Sequence, residues 1–209
     1  MILTNVLIIK ANNRPDGIST KMYETFLEEA SKNKALNIKT FDVFEENLPH
    51  YGQDLLDAFG KLQNGEELNK SEADALAAQQ KTQAVLTEAD VIVFAFPLWN
   101  LTIPSALNAF VDYTVQSGFT FKYTETGEKE FLMADKKVIL LNARGGFYTT
   151  PEVNAMDMSV NYMRAVIQNY YGMSISDEVI IEGHAQEPEK AQTIIANGLE
   201  KVKMVASSL

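Results

Sequence analysis

Short apolar runs without a polar interruption recur along this chain of 209 residues, and they restrict its fold more than any other feature. Val6-Leu7-Ile8-Ile9 is the first, Val91 to Phe96 the longest, and Lys137-Val138-Ile139-Leu140-Leu141 is another. A strand with one wet face alternates apolar and polar residues. An unbroken run must be covered on both faces, as in a parallel sheet enclosed by helices. Ile38 to Val43 and Glu178 to Ile181 read as two further strands.

Helical patterns separate these runs. One opens at Ser19-Thr20, either of which suits an N-cap, and places Met22, Phe26, Leu27 and Ala30 on one side. Others are predicted at Ser71 to Leu86, Ile103 to Gln116, Ala155 to Tyr170 and Ala191 to Ala206, with Pro104 tolerated in a first turn. Residues 44–70 carry Pro49, Tyr51, Gly52 and Gly65 and read as short helices mixed with loop. Phe119 to Tyr123 alternates aromatic and polar residues before Thr126-Gly127, which suits an excursion or a short hairpin. Alternating strands and helices predict an α/β fold, doubly wound, with helices on both faces. Five parallel strands suggest the flavodoxin-like order 2-1-3-4-5. The expectation is a single domain over residues 1–209 with an insertion at about 44–70.

Charge and composition exclude several functions. A formal charge of −10 repels phosphate backbones and anionic lipid, so neither nucleic acid nor a membrane surface is expected as a partner. With no cysteine, disulfides, thiolate metal sites and redox dithiols are excluded, and electrons would have to travel on a cofactor. No run has the ~18 apolar residues of a membrane span, and Val6 to Ile9 is too short for a signal-peptide core, so a soluble cytoplasmic protein is expected. The histidines, His50 and His184, are expected outside the site or on a surface loop. Aspartates and glutamates are expected on solvated helix faces, and no metal-ligand cluster is legible.

In doubly wound folds ligands lie beyond the carboxyl ends of the strands, at the switch point between strands 1 and 3. Three unusual loops follow strands 1, 3 and 4. Lys10 to Thr20 lacks the G-x-G-x-x-G and P-loop patterns, yet it ends in Ser19 and Thr20 at a helix start. Free amides with hydroxyls there suit a phosphate, and plain capping explains the same residues. Pro97-Leu98-Trp99-Asn100-Leu101-Thr102-Ile103-Pro104 holds the sole tryptophan beside an amide side chain. That pair suits a flat heteroaromatic ligand, and equally a tryptophan plugging the sheet end. Asn142-Ala143-Arg144-Gly145-Gly146 has two glycines that let a ligand approach the backbone, or that simply make a turn.

These residues resemble the bacterial FMN-dependent NADH-azoreductases, which are also quinone reductases. Pro97 to Leu107 with Asp112 is similar to the flavin loop of that family. Thr120 to Gly127 is similar to its segment after the next helix, Ala143-Arg144-Gly145-Gly146 to its Ser-Arg-Gly-Gly loop, and Val6 through Thr20 to its phosphate loop. The resemblance runs along essentially the whole chain. It implies a flavodoxin-like homodimer with FMN in each subunit at the interface. NADH or NADPH reduces the flavin and leaves, and a quinone or azo compound then takes hydride in a ping-pong scheme. It also implies that Asn12, Ser19 and Thr20 bind the phosphate. Pro97, Leu98, Trp99, Asn100 and Leu101 would hold the ring, with Ala143, Arg144, Gly145 and Gly146 along its pyrimidine side. Tyr123 and Phe147 would line the substrate slot. No protein acid or base is implied for the hydride step. Ala11, Asn108 and Ala143 depart from the family pattern, where Ser, a basic residue and Ser are common. The competing expectation is a flavodoxin-type carrier of single electrons between proteins. The acidic charge suits it and the extra segments at 44–70 and 119–127 do not.

Overall fold

Every apolar run picked out above forms a strand in the structure, a computed structural model that describes residues 3–209. In chain order the elements begin with β1 (Thr4–Lys10), α1 (Ile18–Ala30), β2 (Leu36–Asp42), α2 (Gln53–Asn64), α3 (Lys70–Glu88), β3 (Val91–Pro97) and α4 (Ser105–Thr114). They continue with β4 (Phe121–Tyr123), β5 (Lys129–Phe131), β6 (Lys137–Ala143), α5 (Val160–Val166), β7 (Ser174–Ile181) and α6 (Ala191–Ser207). The main sheet has the order β2-β1-β3-β6-β7 with every neighbouring pair parallel. Setting aside the small antiparallel hairpin β4-β5, this is the expected order 2-1-3-4-5.

The period of two along each strand divides the core. Leu7, Ile9, Ile92, Phe94, Val138 and Leu140 face Leu86, Leu107, Phe110 and Met163 of α3, α4 and α5. Val6, Ile8, Val93, Ile139 and Leu141 face Met22 and Phe26 of α1 and Val202 of α6. Phe94 is essentially inaccessible, and truncating it to alanine would cost about 3–5 kcal/mol. Residues 44–70 contain one helix, α2, which packs on α3 through Leu55, Ala75 and Ala78. Helix α3 starts with a capping box. The Asn69 side chain accepts the Glu72 amide, and the Glu72 carboxylate accepts the Asn69 amide.

Two helix boundaries differ from the sequence expectation. Gly17, not Ser19 or Thr20, occupies the N-cap of α1, so those hydroxyls fall inside the first turn. They are engaged instead with the preceding loop, where Thr20 Oγ1 donates to the Arg14 carbonyl at 2.8 Å. The helix expected from Ala155 to Tyr170 is three pieces, a 3-10 turn at Asn154–Met156, α5, and a π-helical turn at Ile167–Tyr171. Asp157 is the cause, because its carboxylate accepts the amides of Ser159 and Val160 and starts the helix afresh. Strand β7 also begins before the expected Glu178, since a register shift opposite Val138 and Ile139 lets Ser174 and Ile175 join the ladder.

Candidate functional site

Strand β1 feeds a helix on one side of the sheet and β3 a helix on the other, so their ends diverge. A crevice of about 380 Å³ opens there, within the range of small-molecule sites. Asn12, Ser19, Pro97, Leu98, Trp99, Ala143, Arg144 and Gly145 line it, joined by Arg14, Asp16, Gly17, Ile18, His184 and Ala185. The three loops singled out by sequence therefore form one wall system.

The first loop is held open by its own side chains. Asn12 Nδ2 donates to Ser19 Oγ at 2.8 Å, and Asn12 Oδ1 accepts the Arg14 amide at 3.0 Å. No side chain caps the first amides of α1. Glycine at position 17 leaves room for the Asn12 side chain, since a Cβ there would lie 2.3 Å from Asn12 Nδ2 and displace it. Thr20 is buried and does not itself line the crevice. The result is a helix N-terminus with unspent donors and a hydroxyl beside it, the chemistry that holds a phosphate.

The second loop is a tight turn. Trp99 and Thr102 exchange backbone hydrogen bonds at 2.9 and 3.0 Å across Asn100 and Leu101. Both central residues are left-handed, with φ of 49° and 71°. Asparagine tolerates this conformation, whereas for Leu101 it costs roughly 1–2 kcal/mol. The Leu101 carbonyl accepts the Met158 amide at 2.9 Å, and the Leu98 amide donates to Ala143 at 3.0 Å, which ties this turn to its neighbours. Trp99 is half-buried at the crevice with its ring 6.0 Å from that of Phe44, so it is not a plug in the sheet end. Asn100 and Leu101 shape the turn but do not line the crevice.

The third loop is fixed by a buried ion cluster. Arg144 is 2% exposed; its Nε donates to Glu182 at 3.0 Å and its Nη1 to Asp157. Asp157 is as buried as Arg144, which overturns the expectation that the acidic residues sit on solvated helix faces. The Arg144 side chain is therefore occupied by protein partners, and only its Nη2 is left buried without one. Burial would raise the Glu182 carboxyl, but hydrogen bonds from Thr149 and the Tyr148 amide and the charge of Arg144 hold it below the ordinary range. The Gly145 carbonyl accepts the amides of Ala185 and Gln186, while the amides of Gly145 and Gly146 donate to no protein group among the described residues. A Cβ on Gly145 would approach that of Ala185 to 2.9 Å.

Besides Thr20, Asn100 and Leu101, three further expected site residues lie outside the crevice lining. Gly146 is just past its lining. Phe147 lays its ring against Gly183, and Tyr123 is 59% exposed on the β4-β5 hairpin, edge-on to Phe121. His184, set aside on sequence, lines the crevice. No motif marks it. The only available signal was its position just past the end of the last strand, where ligands gather in this fold. Among the described residues no group of His, Asp and Glu is arranged to hold a metal, and no helix is long and apolar enough to cross a membrane.

The unspent amides, the Ser19 hydroxyl and the flat Trp99 wall fit FMN, a phosphate on one end and a hydrogen-bonding ring on the other. Comparison with known proteins agrees. The profile of a family described as having a flavodoxin-like fold matches residues 4–205. An FMN-dependent NADH:quinone oxidoreductase of Bacillus licheniformis is 43% identical, covering 99% of this chain and 100% of its own. The crystal structure of an azoreductase from Bacillus anthracis superposes with a TM-score of 0.89 at 41% identity, covering 99% of this chain and all of that one. A second Bacillus anthracis structure, an FMN-dependent NADH-azoreductase in complex with FMN, gives 0.86 at 25% identity, with 99% of each chain covered. With a profile matched almost end to end and such identity to full-length relatives, this chain belongs to the flavodoxin-like family that includes the FMN-dependent NADH:quinone oxidoreductases.

Proposed function

We propose that this protein is an FMN-dependent NADH oxidoreductase that reduces quinones and azo compounds by two-electron hydride transfer in a ping-pong cycle. The observation that carries the reading is the convergence of three loops, two of them with unspent donors, on one crevice at the strand 1–3 switch point. The FMN-dependent NADH:quinone oxidoreductase and azoreductase relatives support the reaction. Bound there, FMN supplies a group that takes hydride from NADH and gives it to an acceptor, so a chain without cysteine needs no nucleophile of its own.

The protein's part is to bind and to orient. The first-turn amides of α1 with Ser19, and Asn12 and Thr20 behind it, hold the phosphate. Pro97, Leu98 and Trp99, on the turn that Asn100 and Leu101 shape, would hold the ring, and the free amide of Gly145, with that of Gly146 next to it, would serve its pyrimidine edge, where negative charge gathers on reduction. Arg144 serves through its backbone and by pinning this loop. We further propose a cytoplasmic homodimer. Tyr51, Tyr123, Tyr170, Met156 and Met158 are exposed, and Tyr51 and Tyr170 share one groove, apolar side chains of the kind a partner covers. Tyr123 and Phe147 complete the substrate slot in that assembly.

The test is the visible spectrum of the purified protein, followed by NADH and NADPH oxidation with menadione and with methyl red. Flavin absorbance and turnover of both acceptors are expected, with NADH the better donor. A colourless protein that stays inactive after FMN is added refutes the reading.

A further inference from the structure

His184 follows β7 and reaches the crevice from a loop that none of the flavin-loop motifs includes. Its two ring nitrogens differ. Among the described residues Nδ1 is buried without a hydrogen-bond partner, whereas Nε2 is not buried and bonds to no protein group. An imidazolium carries an N–H on both nitrogens, and a dry N–H without an acceptor is costly. The ring is therefore neutral, with its lone pair on the dry Nδ1 and its proton on the accessible Nε2. The loop is also held in place, because Ala185 and Gln186 donate to the Gly145 carbonyl at 3.0 and 3.2 Å, and Gly183 to Gly146 at 3.3 Å. His184 is thus fastened to the wall that carries the free Gly145 and Gly146 amides.

We infer that His184 is a cofactor-contacting residue whose Nε2–H donates to an oxygen of the flavin nucleotide in the crevice, an inference that rests on the proposed FMN site. Burial holds the imidazole below its ordinary pKa, which agrees with a neutral ring at pH 7. An anionic nucleotide gains a donor in this way without a second buried cation beside Arg144.

Atom-specific substitution separates this role from packing. In His184→Gln the side-chain amide reaches the position of Nε2, in His184→Asn only that of Nδ1, and His184→Leu keeps bulk without a donor. FMN affinity is read from quenching of flavin fluorescence on titration of the apoprotein, and stability from thermal unfolding of the same samples. Leu and Asn are expected to weaken FMN about tenfold at an unchanged apoprotein midpoint, with Gln within about threefold of the wild type. Riboflavin, which lacks the phosphate, locates the acceptor. An equal loss for riboflavin places it on the ring or ribityl chain, and a loss confined to FMN places it on the phosphate. Unchanged FMN affinity in His184→Leu, or rescue by Asn and not by Gln, overturns the inference while leaving the FMN site standing. A wild-type protein that bound no FMN would overturn both.

Discussion

Arg144 shows how much one side chain is asked to do. Its guanidinium is dry, and it bridges Asp157, which starts α5, to Glu182 at the end of β7. Removing one partner leaves a buried charge short of compensation, so Asp157→Ala is expected to cost about 3–5 kcal/mol in urea unfolding, and Asp157→Asn less. Glu182 adds a pH dependence. Its carboxyl is depressed in the folded protein, so its contribution is fully present above pH 4.5, the ordinary glutamate value, and is lost as pH falls through the lower folded value. The Tyr148 amide, bonded to Glu182 at 2.9 Å, is expected to lose hydrogen-exchange protection in that acid range. In Glu182→Gln the protection should stop depending on acid pH. A Tyr148 amide whose protection falls with acid in Glu182→Gln just as in the wild type would refute the assignment. Sequence could point to Arg144 because it sits beside Gly-Gly after a strand. Its partners were not legible, since Asp157 is 13 and Glu182 38 positions away and neither belongs to a motif.

At the scale of elements, the strands were the most readable part. An unbroken apolar run has few alternatives to a doubly covered strand. The helix ends were the least readable. Ser19 and Thr20 look like caps because hydroxyls usually are, yet the N-cap is Gly17, two residues before Ser19. Apolar residues keep their helical spacing across Asp157, so nothing in the periodicity reveals that a carboxylate restarts the helix there. The Gly17 turn yields a direct test. Gly17→Ala puts a methyl against Asn12 Nδ2 and displaces the bond to Ser19 Oγ. FMN affinity is expected to fall about tenfold in a fluorescence titration, with the unfolding midpoint shifted by less than about 1 kcal/mol. An unchanged affinity would mean that the Asn12–Ser19 bond does not shape the phosphate end.

For the whole molecule the proposed dimer needs a partner surface. Tyr51, Val111, Val115, Tyr162, Val166 and Tyr170 line a groove on the α4-α5 side with Asp112 among them, and Tyr170 is 46% exposed. Tyr170→Asp removes an aromatic ring and adds a second carboxylate to the one Asp112 already places in this groove. It is expected to convert the proposed dimer to monomer in sedimentation equilibrium and to lower turnover with menadione severalfold. A variant that stays dimeric would place the interface elsewhere. The exposed Tyr123 belongs to the same scale, because its ring stands edge-on to Phe121 and is otherwise largely open to solvent.

The sequence by itself determined the five strands, their helical crossovers and the three loops that flank the switch point, because hydrophobic periodicity and turn chemistry are local properties of the chain. It also ruled out thiol chemistry, since there is no cysteine to perform it. Only the tertiary structure decided that Trp99 is a wall of the crevice and not a plug, that Arg144 is held between two acids, and that His184 reaches the site from the last loop. Those outcomes depend on which distant residues the folded sheet brings within a few ångströms. Burial and hydrogen-bond partnership across such separations leave no pattern along the chain.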